Sequence, residues 1–68
     1  MELLAVIKQQ ADIRVTEDEL LILNSALNEV CNGISVSEFD TRIGATRDDV
    51  ASLLEKIGQT LDAIAKLN

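Results

Sequence analysis

Few side chains in this sequence could do covalent chemistry, and their spacing narrows the choice further. Histidine is absent, which removes the commonest general base and a common zinc ligand. Cys31 is the one cysteine, so no disulfide can form within the chain. It sits near the end of the apolar run "LLILNSALNEVC" with no histidine to activate it, and there a thiol behaves as a small hydrophobe. Asp48 and Asp49 are adjacent acids, but neighbouring residues of a helix diverge in direction. Both fall where a helix N-terminus favours negative charge, which makes capping their expected role. "NGISVSE" and "IGATRDD" hold one glycine each, too few to cradle a phosphate. The residues therefore predict no catalytic group, no metal ligand and no cofactor, and the expectation is a protein that is not an enzyme.

Polar groups suited to recognition are easier to find. Asn24, Asn28 and Asn32 are spaced by four and would stack three amides along one helical face. The plain reading is a solvated ridge. The sharper one is a polar seam in an interface, where a buried asparagine fixes register. The bases Lys8, Arg14, Arg42, Arg47, Lys56 and Lys66 are scattered, and only Arg42 and Arg47 lie close together. Glu38 with Arg42, and Asp62 with Lys66, have the favourable order for i,i+4 pairs worth a few tenths of a kcal/mol (about 0.3).

The elements that must carry these residues read as helices. Leu3, Leu4, Ile7 and Ala11 share a helical face, which predicts a first helix over 2–11. "DIRV" after it alternates apolar with polar residues and reads as an extended connector. Thr16 with Glu19 fits the S/T-x-x-E capping box and opens a second helix over 17–32, with its apolar stripe on Leu20, Leu23, Leu27 and Val30. Gly33 is its expected left-handed stop. Ser35 with Glu38 repeats the capping box ahead of a short helix over 36–43 that carries Phe39 and Ile43, with Gly44 ending it. Thr46 with Asp49 announces a long last helix over 47–67, striped by Val50, Leu53, Leu54, Ile57, Leu61, Ile64 and Leu67. Gly58 within it marks a bend or a close approach. The expected fold is all-α, a small single-domain bundle of about four helices with a sharp corner at Gly44.

A last helix of that length spans about 32 Å at 1.5 Å per residue. A globule of 68 residues is hardly wider, so its final turns would overhang. Ile57, Leu61, Ile64 and Leu67, with Asn24 and Asn28, are therefore the candidate interface of a homodimer.

The corner itself resembles a helix-turn-helix motif. In "EFDTRIGATRDDVASLL", Phe39 and Ile43 take the apolar places of the first helix, Gly44 the turn, and Val50 and Leu53 the inward places of the second. "GATRDDV" is similar to the "G-V-S-R-x-x-V" phrase of bacterial repressors. The resemblance implies DNA binding through Arg42, Thr46 and Arg47. Asp40 stands where the motif wants a small residue, and Asp48 and Asp49 stand where phosphates would approach, which weighs against that role. The phrase "ALNEVCNG…EF-TRIG", matched from Ala26 to Gly44, also resembles short uncharacterised bacterial helical proteins, and it brings no assigned activity.

Composition bounds what remains. Twelve acids against six bases give a net charge of −6, which repels phosphate backbones and anionic membranes and suits a basic protein partner. No stretch approaches the roughly 18 apolar residues of a membrane span, and the short apolar start lacks the basic flank of a signal peptide. A soluble, cytoplasmic location is expected. Phe39 is the one aromatic residue, and a core this small supplies about 3–5 kcal/mol unaided. The expected function is protein–protein interaction through a homodimer. Its alternatives are a helix-turn-helix transcriptional regulator and a toxin-neutralising protein of the immunity type.

Overall fold

In a computed structural model, which describes residues 1–68, the chain forms a β-hairpin followed by helices. Strand β1 (Glu2–Ile7) and strand β2 (Gln10–Arg14) pair antiparallel, joined by Lys8 and Gln9. The helices are α1 (Glu17–Asn28), continued by a π turn over Glu29–Gly33, then α2 (Phe39–Ile43) and α3 (Arg47–Leu67). This is not the all-α four-helix bundle expected above. The segment 2–11 is hairpin rather than helix, and the connector "DIRV" supplies most of its second strand. Val6, Ile7, Ile13 and Val15 are β-branched and favour extended backbone. An isolated helix of that length is also marginal in water. Gln9 closes the turn in the left-handed region at φ 59°, a conformation more usual for glycine or asparagine.

Helix α1 begins where the capping box placed it. The Thr16 hydroxyl accepts from the Glu19 N–H at 3.2 Å, and the Glu19 carboxylate accepts from the Thr16 N–H at 3.0 Å. The same carboxylate receives the Met1 ammonium, which ties the start of the hairpin to the start of α1. That ammonium, together with the Thr16 donors, holds the Glu19 carboxyl down to about 2 against its ordinary 4.5. The unfolded chain therefore binds a proton at Glu19 before the folded chain does. Folding stability should fall as the pH drops from about 5 toward 2, and Glu19→Gln should flatten that part of the profile in urea titrations.

The end of α1 differs from expectation. Gly33 is not left-handed; the helix widens into the π turn, and the Ile34 N–H donates to the Glu29 carbonyl at 2.9 Å. The Glu29 carboxylate folds back over Gly33, where a Cβ would meet it. The second capping box does not form either. Helix α2 starts at Phe39 rather than 36, and Glu38 enters it at φ 53° with no side-chain cap. Gly44, at φ 82°, turns the chain as predicted, and the Thr46 hydroxyl caps α3 by accepting from the Asp49 N–H at 3.1 Å.

Helix α3 lies along α1, and the π turn at the far end of α1 sits beside the start of α3, so the two run antiparallel. At 1.5 Å per residue, α3 is about 32 Å long and α1 about 18 Å. The buried core is three side chains: Leu20 from α1, Phe39 from α2 and Val50 from α3. Leu20 and Val50 each stand four residues after a capping threonine, so each helix contributes its first turn to the core. Leu54, Ile57, Leu61 and Ile64 continue the α3 stripe in half-buried positions.

Gly58 lies in that helix with open space where a Cβ would be, and so marks no close approach. Gly58→Ala is expected to raise stability by about 1 kcal/mol through helix propensity alone. That should lift the melting temperature by roughly 4–8 °C, as differential scanning calorimetry would show.

Candidate functional site

The residues with chemical potential are spread over the surface. Cys31 is half-buried in the π turn as a free thiol. Its carbonyl accepts a hydrogen bond from Arg47 Nη1 at 2.9 Å, and the Arg47 guanidinium lies 4.5 Å from the centroid of the Phe39 ring. The three residues form one anchor. Phe39 fills the core beneath the corner, while Arg47 stacks on it and clips the start of α3 to the end of α1. Arg47 therefore turns its charge toward the chain itself. Thr46 is engaged as the α3 cap, and Arg42 is exposed on α2. Asp48 and Asp49 occupy the first turn of α3, beside the dipole's positive end. The fold encloses no cavity, and no three metal-ligating side chains converge.

The candidate interface residues separate into two groups. Ile57, Leu61 and Ile64 are half-buried on the α3 stripe, and Leu67 overhangs in the last turn at 89% exposure. Asn24 is half-buried, whereas Asn28 and Asn32 are exposed and joined by a bond from Asn32 Nδ2 to Asn28 Oδ1 of 3.0 Å. The two i,i+4 ion pairs expected at Glu38–Arg42 and Asp62–Lys66 do not close; the ion pairs present are Met1–Glu19 and Glu2–Arg14.

One exposed apolar surface is not singled out by the sequence reading, and it lies on the hairpin. The β1–β2 register pairs Leu3 with Ile13 and Val6 with Ala11, which places these four side chains on one face of the hairpin. Glu2 with Arg14, Ala5 with Asp12, and Ile7 with Gln10 take the other face. No hairpin residue is buried: Leu3, Val6 and Ile13 are 62%, 72% and 45% exposed. A two-stranded hairpin with both faces in water is at best marginally stable. The whole chain shows the same imbalance. Its accessible surface is 5445 Å², about 1,200 Å² more than a compact monomer of 7.4 kDa would show.

The fold and surface thus define a small acidic α+β protein, a β-hairpin carried on a pair of antiparallel helices. Comparison with known proteins finds no matching family model, no matching curated protein and no matching solved structure. No helix is long and apolar enough to cross a membrane.

Proposed function

We propose that this chain works by protein–protein association, first of all with a second copy of itself, and not by transforming a bound small molecule. The observation that carries the reading is the uncovered apolar face of the hairpin set against a core of three buried side chains. A stable complex of ordinary size removes about 800 Å² from each partner, which is within the excess surface this chain exposes. The stability missing from so small a core would then come from the partner, as it does for many obligate dimers.

The test is the mass and stability of the full chain as a function of concentration. Sedimentation equilibrium and light scattering over the micromolar range should give twice the 7.4 kDa of one chain. The melting temperature should rise with concentration, because dissociation is coupled to unfolding. A chain that sediments at its single mass, with a melting temperature independent of concentration, would overturn the reading.

A further inference from the structure

Beyond helix ladders and the β1–β2 pairing, the backbone hydrogen bonds of the chain all start and end at Thr16 or later. The outer edges of both strands therefore carry backbone N–H and C=O groups with no partner in the chain, and such an edge is a template for another strand. The two edges are not equivalent. β1 carries an extra residue at Leu4, a bulge that breaks the regular spacing of its outward groups. β2 has no insertion, and the backbone is extended at Thr16 just beyond it, at φ −75° and ψ 163°.

Alternation along β2 restricts how a strand could add to it. The Ile7–Gln10 pair closes a two-residue turn and exchanges hydrogen bonds. Gln10, Asp12 and Arg14 then direct their backbone groups to β1, and Ala11, Ile13 and Val15 direct theirs outward. An antiparallel copy must match outward residues with outward residues, so its two-fold axis falls on a residue position and never between two. Charge chooses among the allowed registers. An axis at Asp12 sets Asp12 against Asp12, one at Arg14 sets Arg14 against Arg14, and one at Ala11 sets Arg14 against Lys8. An axis at Ile13 sets Asp12 against Arg14 of the second copy, twice, with Ile13 on Ile13 and Ala11 on Val15. Arg14 already meets Glu2 at 3.3 Å on that face, so the second Asp12 would complete a Glu2–Arg14–Asp12 cluster.

We propose that β2 is the dimerisation edge, and that β2 of a second copy adds to it antiparallel across a two-fold axis at Ile13. The product is a four-stranded sheet of order β1–β2–β2–β1. Leu3, Val6, Ala11 and Ile13 of both copies make one continuous apolar face on it, and the charged cluster lies on the other face. The proposal rests on the association reading above and names its surface.

The experiment is a charge exchange across the axis. Asp12→Arg alone and Arg14→Asp alone each place like charges opposite one another twice, and each should weaken self-association roughly tenfold or more. Mixed in equal amounts, the two variants should form a heterodimer close to wild-type affinity, because both opposite-charge pairs return; recovery on mixing also shows that both variants fold. In a Cys31→Ala background, Ile13→Cys should oxidise to a covalent dimer, since residues paired there lie about 5.5 Å apart at Cα, whereas Leu3→Cys, on the far strand, should not. A wild-type dimer with no recovery on mixing and no Ile13→Cys cross-link would place the interface elsewhere, overturning this proposal while leaving the association reading intact. A monomeric wild-type chain would overturn both.

Discussion

Phe39→Ala is expected to leave the chain largely unfolded at room temperature, with loss of the helical circular dichroism signal and of any cooperative melt. Phe39 is the one aromatic side chain in the sequence and is 6% exposed. Truncating a buried phenylalanine to alanine costs about 3–5 kcal/mol, as much as a core of this size supplies in total. The loss would not stay local. α2 is a five-residue helix entered through Glu38 in the left-handed region, and nothing but docking can hold so short a helix in water. Without the ring, Arg47 loses the surface on which its guanidinium stacks, and the clip from α3 to the Cys31 carbonyl loosens. Phe39→Leu, which keeps most of the volume and removes the stacking, should instead cost about 1–2 kcal/mol and still melt cooperatively. If Phe39→Ala melts like the wild type, the corner is not part of the cooperative core.

The corner and the long helix were legible in the sequence because their signals are local. Thr16, Glu19, Thr46 and Gly44 act within one turn of where they stand, and α3 occupies the span its caps and stripe announced. The hairpin was not legible, and the bulge at Leu4 is the physical reason. An ordinary strand puts its inward residues two apart, but the extra residue puts Leu3 and Val6 three apart on one face. That break in alternation masks the strand. Leu3, Leu4, Ile7 and Ala11 keep the three- and four-residue spacing of a helix, although the hairpin sets Leu3 and Ala11 on one face and Ile7 on the other. The turn gave no warning either, since Lys8 and Gln9 include neither glycine nor asparagine.

Ser35 and Glu38 show the opposite failure: the capping pattern is present, but the chain enters α2 at Glu38 with φ 53° and the box cannot close. The anchor of Arg47 on Phe39 and Cys31 depends on three segments returning to one place. No spacing along the chain encodes that, although a lone aromatic with an arginine on the following helix was a cue. The apolar face of the hairpin is hidden with the hairpin itself, so the sequence offers only Ile57, Leu61, Ile64 and Leu67 on α3 and Asn24 and Asn28 on α1 as interface candidates.

The "LLIL" run of α1 offers the second large effect, because it sets a buried leucine beside an exposed isoleucine on the same helix. Leu20 is 8% exposed and Ile22 is 68% exposed. Leu20→Ala removes a buried side chain from the first turn of α1 and leaves a cavity in the core. The expected cost is about 2–4 kcal/mol, read as a lower urea midpoint with the slope unchanged. Ile22→Ala removes comparable apolar volume from the surface of the single chain, where the expected cost is about 0.5 kcal/mol or less. The contrast also bears on assembly. Leu20 is buried by its own chain, so its cost should include the same loss at every protein concentration. Ile22 is mostly uncovered by its own chain, so a cost well above that figure, growing with concentration, would arise from burial against another copy. A concentration series on these two variants thus separates the core this chain builds alone from the surface it completes by association.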